Sequence, residues 1–157
     1  MKFFVDTMLG RLAKVLRILG FDTVYERSRD GLALLVQARN QGRIFVTANR
    51  RFRDRPDVFF VAGEKVEEQL AKLVHHFSLT DKIRPFSRCL ACNGELIKVT
   101  KEEVGDQVPF FTRRTQTDFS RCAGCGRIYW PGSHRQAMEA KLQSLLDVSR
   151  ETPARPE

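Results

Sequence analysis

The chain of 157 residues has no uninterrupted apolar run of the roughly 18 or more residues that a membrane span requires. Its first residues also lack a signal-peptide pattern, because Asp6, Arg11, Lys14 and Arg17 break every apolar stretch there. A cytoplasmic protein with no membrane association is the expectation. Cysteine is missing before Cys89, and no internal repeat occurs apart from a doubled C-x-x-C. Acidic charge is in short supply: 19 Asp and Glu stand against 27 Lys and Arg, a net charge of +8. Residues 1–84 hold 16 basic and 10 acidic side chains, so most of the excess lies in the first half. A basic surface attracts polyanions, of which nucleic acid is the commonest.

What is present organises the chain into two parts. Lys2–Val5 reads as a strand, followed by Leu9, Leu12, Ala13, Leu16 and Leu19 at helical spacing up to Gly20. "FDTVYE" reads as a second strand, and Leu32, Leu35, Val36 and Ala38 mark a second helix ending near Gly42. "RIFVT" and "VFFVA" are strands three and four, and Val66, Leu70, Leu73, Val74 and Phe77 trace a third helix. Such alternation predicts an α/β fold, a mostly parallel sheet flanked by helices, whose binding crevice lies at the carboxyl ends of the strands. A polar connection with Pro85 then leads to residues 86–132, which read as short strands and turns. A last helix is expected over 133–147, and 148–157 as a disordered tail.

"RCLACNG" and "RCAGCGR" place Cys89, Cys92, Cys122 and Cys125 in two knuckles. Two C-x-x-C turns aim four thiolates at one ion, and a four-thiolate site has no open position for catalysis. The pattern predicts a structural zinc ribbon whose folding depends on its metal. A redox dithiol would need only one C-x-x-C beside a thioredoxin-like unit.

Asp6 falls at the joint between strand one and the helix after it, where a carboxylate can simply cap the helix. Asp30 precedes the second helix and Asn49 follows the third strand, and a parallel sheet brings all three to one edge. Clustered carboxylates repel, and a hard divalent cation, Mg²⁺ or Mn²⁺, offsets the repulsion. Asp54 and Asp57 in the next loop are additional candidates. Arg11, Lys14, Arg27, Arg29, Arg50, Arg51, Arg53 and Arg55 surround this edge in sequence and are candidates to hold a phosphate backbone. The run "RRFRDR" is equally readable as a solvated loop.

The blocks "FVDTMLGRLAKVLRILGFDTVY", "RIFVTANRR", "FSRCLACNGEL" and "CAGCGRIYWPGSH" resemble the Mut-seven C-terminal RNase-domain family over about residues 2–138. That resemblance implies a PIN-like nuclease domain, here residues 1–80, joined to a zinc ribbon at 86–132. It implies a metal-dependent ribonuclease acting on RNA, tRNA or another structured RNA included. By the same resemblance Asp6 corresponds to the first metal-binding acid and Asp30 to the second. The family's third strand ends in a T-R-D-R-like run. Here the run is Thr47-Ala48-Asn49-Arg50, with an amide in place of the carboxylate. An amide brings no negative charge, so weaker metal binding is expected, and an RNA-binding or adaptor protein is the alternative reading.

Among the remaining residues, Trp130, Tyr129, Phe110 and Phe111 are readable as base-stacking platforms or as a minicore beneath the zinc. Arg113 and Arg114 are candidates for phosphate contacts. Asp22 is assigned a turn role, His134 a contact at a helix start, and His75 and His76 no role.

Overall fold

A computed structural model describes residues 1–28, 30–63 and 65–151. Arg29, the His134 side chain and residues 152–157 of the anticipated tail lie outside the described residues.

β1 (Lys2–Val5) carries three successive apolar residues of high strand propensity, and all three are fully buried. It lies between β2 (Asp22–Tyr25) and β3 (Ile44–Thr47), and β4 (Val58–Phe60) follows beyond β3. All four strands are parallel, in the order β2-β1-β3-β4. α1 (Gly10–Ile18) connects β1 to β2, α2 (Gly31–Asn40) connects β2 to β3, and α3 (Val66–His76) follows β4. Alternation along β1 divides the core. Phe3 and Val5 join Leu12, Leu16, Leu70 and Leu73 on one face, while Phe4 joins Leu34, Leu35 and Phe45 on the other.

α2 forms where it is predicted but with a different face inward. Leu34, Leu35 and Ala38 are buried, whereas Leu32 and Val36 are exposed. "LALLV" is apolar almost throughout, so its periodicity leaves the rotation of the helix open; packing on Phe4, Phe45 and Phe52 decides it.

After α3 the chain turns back along the end of α1. The backbone N–H groups of Arg84 and Phe86 donate to the carbonyls of Leu19 and Ile18 at 2.9 and 2.8 Å. Gly20 makes this approach possible. Its φ is +91°, and a Cβ there would sit 2.1 Å from the Arg84 carbonyl oxygen.

The second part is a three-stranded antiparallel sheet of β5 (Leu96–Val99), β6 (Phe119–Cys122) and β7 (Ile128–Tyr129). The reading of 86–132 as strands and turns alone needs correction, because α4 (Lys101–Val104) and α5 (Phe110–Thr115) lie between β5 and β6. Thr100 and Glu103 form a reciprocal capping box at the start of α4, a signal present in "TKEE". Val104, Val108 and Phe119 make a small core of their own, with Trp130 partly buried against it. Phe110 and Phe111 take no part in this minicore and remain 69% and 74% exposed. α6 (Ser133–Glu151) runs past 147 and returns to the first sheet, with Leu142 buried and Met138 and Leu146 packed on the core that includes Leu70 and Val74. No helix among the described residues is long and apolar enough to cross a membrane.

Candidate active site and metal centre

The strand order sets the place of the acidic site. β1 has β2 on one side and β3 on the other, so the connections leave the sheet in opposite directions and open a crevice at the carboxyl ends of β1 and β3. Asp6 directly follows β1 and Thr47 ends β3. The Asp6 N–H donates to the Val46 carbonyl at 2.9 Å, which fixes the backbone. Its side chain is 5% exposed and caps no helix. One carboxylate oxygen accepts the Thr47 hydroxyl at 2.5 Å; the other makes no hydrogen bond among the described residues. Burying a carboxylate with one hydroxyl partner and no cation costs stability, and such a group fits a place where a cation binds.

Asp30 is arranged differently. It is exposed and caps α2, its Oδ1 accepting from the backbone N–H groups of Leu32 and Ala33 at 3.0 and 3.1 Å. Its second oxygen makes no hydrogen bond among the described residues. Thr7, a residue absent from the expected site, ties the two loops together. Its hydroxyl accepts the Ser28 N–H at 3.2 Å and lies 2.5 Å from the Ser28 carbonyl, while its own carbonyl accepts the Tyr25 hydroxyl at 3.1 Å.

Asn49 is joined to the same edge. Its N–H donates to the Thr47 hydroxyl at 3.0 Å, and its Oδ1 accepts the Arg51 N–H at 3.1 Å, capping a single 3₁₀ turn over Arg50–Phe52. A Cβ placed on Gly31 would lie 3.9 Å from Asn49 Nδ2, so the start of α2 adjoins this amide. The loops bearing Asp6, Asp30 and Asn49 are thus neighbours. Thr47 is the link the sequence reading missed; its place two residues before Asn49, at the end of a buried strand, was the available signal.

Neither Asp54 nor Asp57 supplies a third carboxylate. Among the described residues no three acidic side chains come within metal-ligating range of one another. Asp57 pairs with Arg39 and, at 3.3 Å, with Arg55; the Arg39 hydrogen bond above all holds its carboxyl below the usual carboxylate range. Arg11, Lys14, Arg50, Arg51 and Arg53 are exposed, and Arg53 lies over the Phe60 ring at 5.1 Å. Arg113 pairs with Asp106 at 2.7 Å and lies over Phe110 at 5.9 Å, while Arg114 is exposed.

The cysteines converge. All four Sγ atoms of Cys89, Cys92, Cys122 and Cys125 lie within 4.8 Å of one another. The Gly124 and Cys125 N–H groups point at Cys122 Sγ at 3.3 and 3.4 Å. A Cβ on Gly94 would meet that sulfur at 2.7 Å, so the knuckle closes only around glycine. Burial raises the Cys89 thiol, but hydrogen bonds from the Tyr129 hydroxyl and the Cys92 and Ala91 backbone outweigh it and bring it down to about 6. The Gly94 backbone pulls Cys92 down, yet its sulfur contact with Cys122 and its burial push it up to about 11. Four crowded sulfurs cannot all ionise without a cation. The donor set and the cradle fit one tetrahedral, zinc-like ion.

Asp22 does more than shape a turn. Arg43 donates to its Oδ1 at 2.7 Å, and so does the Asn93 amide at 2.7 Å, from the residue after Cys92. Asn93 Oδ1 in turn accepts the Thr23 N–H at 2.9 Å, covering the edge strand β2, and Arg17 donates to the carbonyls of Leu90 and Ala91 at 3.0 and 3.2 Å. This bracket fastens the first cysteine knuckle to the parallel sheet. Burial raises the Asp22 carboxyl, but Arg43 and Asn93 outweigh it and hold it below the ordinary value. A depressed folded pKa contributes stability that is present above the unfolded value of about 3.9 and is lost as pH falls through the folded one. Asp22→Asn is therefore expected to lower the thermal midpoint at neutral pH and to flatten its fall below about pH 4. Melting curves of both proteins across that range check this.

Comparison with curated proteins and with solved structures finds no match. The family model described as the Mut7-C RNAse domain matches residues 1–142, which takes in the parallel sheet, the four cysteines and the first half of α6. The chain belongs to the Mut7-C RNAse domain family.

Proposed function

We propose that the protein is a metal-dependent ribonuclease, with a PIN-like domain over residues 1–80, a zinc ribbon over 86–132, and Asp6 and Asp30 as the ligands of a catalytic Mg²⁺ or Mn²⁺. The observation that carries this reading is the buried Asp6 carboxylate, held by Thr47 at the crevice between β1 and β3 with one oxygen left free of hydrogen bonds among the described residues. Family membership supports RNA as the substrate. Bound at this edge, a dication supplies a lowered water pKa and neutralises charge developing on a phosphate.

The chain's own residues have separate tasks in this reading. Thr47 orients Asp6, and Thr7 sets the loop before Asp30. Arg50 and Arg51 hold the strand by charge-assisted hydrogen bonds to phosphate oxygens.

Asn49 favours a second reading, RNA binding with little or no cutting. Its amide adds no charge to the site, and its oxygen already accepts the Arg51 N–H. Asn49→Asp separates the two readings. A carboxylate there still caps the turn and adds one negative charge, so cleavage with Mn²⁺ should rise about tenfold and half-saturation should move to lower Mn²⁺. RNA binding without turnover in both proteins would establish the adaptor reading.

A further inference from the structure

A second cleft, of about 470 Å³, opens where the cysteine ribbon meets α1 and α6. Lys14, Arg88, Arg127 and Arg135 enter its lining, and no carboxylate does among the described residues. Its apolar part includes Trp130 and Tyr129. Arg88 is engaged by Glu95 at 3.3 Å, and Arg135 by Glu139 at 2.9 Å and the Phe86 ring at 4.4 Å. Lys14 and Arg127 are exposed and form no ion pair among the described residues. The Trp130 indole N–H, 3.3 Å from where a Gly132 Cβ would stand, likewise has no acceptor among them.

Two aromatic side chains in the lining, two unengaged cations and the lack of opposing acid match a ligand with a planar ring and a phosphate. The volume is that of a small-ligand site. Position narrows the ligand further. Arg11 and Lys14 are three residues apart and both exposed on α1, so they share its outer face. Asp6 lies just before the short 3₁₀ turn that leads into α1, and Lys14 lies about one helical turn beyond Arg11. A cationic stripe therefore runs from the acidic edge to this cleft.

We propose that the cleft holds an unpaired nucleotide of the RNA strand, a few nucleotides from the phosphate at Asp6, its base against Trp130 and its phosphate between Lys14 and Arg127. The proposal rests on the ribonuclease reading for the identity of the strand, and it makes the ribbon part of the substrate track. Stacking on aromatic side chains with cationic backbone contacts is the usual chemistry of single-strand capture.

Trp130 is the sole tryptophan, so its fluorescence reports this cleft directly. The full zinc-loaded chain is titrated with a dye-labelled single-stranded oligoribonucleotide without added Mg²⁺ or Mn²⁺, following tryptophan emission and dye anisotropy together. Saturable quenching that tracks the anisotropy is expected. Lys14→Ala with Arg127→Ala, both surface changes, should weaken binding by about tenfold or more. The slope of log affinity against log salt should fall by about 0.7, as the loss of one neutralised phosphate requires. Adenosine monophosphate is the second arm and should bind far more weakly. Strand binding with no change in Trp130 emission, an unaltered affinity in the double variant, or equal affinity for the monophosphate would overturn the proposal. The two readings fail separately: quenching without cleavage once Mn²⁺ is added removes the nuclease, whereas cleavage without quenching removes the cleft.

Discussion

Asp6→Asn is expected to lower RNA cleavage by about a hundredfold or more while leaving the protein folded and at least as stable as before. The two halves of this result have one physical origin. Asp6 is buried, its hydrogen-bond partner among the described residues is the Thr47 hydroxyl, and no arginine or lysine pairs with it there. The asparagine oxygen accepts the same hydroxyl, so the end of β1 keeps its shape. Removing an unpaired buried charge also removes its desolvation cost. In the proposed reading what is lost is the anionic ligand at the sheet edge and with it the cation, a loss that in charge-stabilised active sites accounts for factors of this size. Cleavage of a structured and a single-stranded RNA with Mn²⁺, beside thermal melting of both proteins, reads both halves. Unchanged cutting would remove Asp6 from the active site; a large drop in the melting midpoint would make its role structural.

Cys122→Ser should have the largest effect on stability. Its sulfur receives two backbone N–H groups and lies 3.3 Å from Cys92 Sγ. Loss of one thiolate from a four-thiolate site takes away much of a binding energy of roughly 10–16 kcal/mol, which for a segment with so small a core is folding energy. The damage will not stop at the ribbon. Asn93, which follows the first knuckle, covers the Thr23 N–H and bonds Asp22, and the chain enters α6, which packs on the main core, directly from the ribbon. Without these, edge strand β2 loses its cover and becomes a site for association. The variant should carry less than one equivalent of zinc, melt in a broad early transition and aggregate, and a strong zinc chelator should do the same to the parent protein. A variant that keeps full zinc and an unchanged melting curve would show that the cysteines are dispensable.

The contrast between these sites also shows what a sequence exposes. The sheet is legible because buried parallel strands are short apolar runs and their helices repeat with period 3.6, so β1 to β4 and three helices follow from local pattern. The cysteine centre is legible because its spacing is itself the geometry. The rotation of α2 is not, since "LALLV" offers two apolar faces and only contact with Phe4, Phe45 and Phe52 selects one. Nor is the bracket of Arg17, Asp22, Arg43 and Asn93, whose partners lie as many as 74 residues apart and share no motif. At the acidic edge the strand ends are legible, but the unequal states of the two acids are not. Asp6 is buried on Thr47, and Asp30 is exposed and caps α2. In the proposed reading the buried Asp6 holds the cation more firmly, and Asp30 and Asn49 tune it.

Anomalous X-ray scattering from crystals soaked in Mn²⁺ tests most directly whether these loops share a cation. A manganese peak beside Asp6 and Asp30, distinct from the zinc peak at the four cysteines, is the expected result. Zinc density at the cysteines with none beside Asp6, at a manganese concentration that supports cleavage, would contradict it.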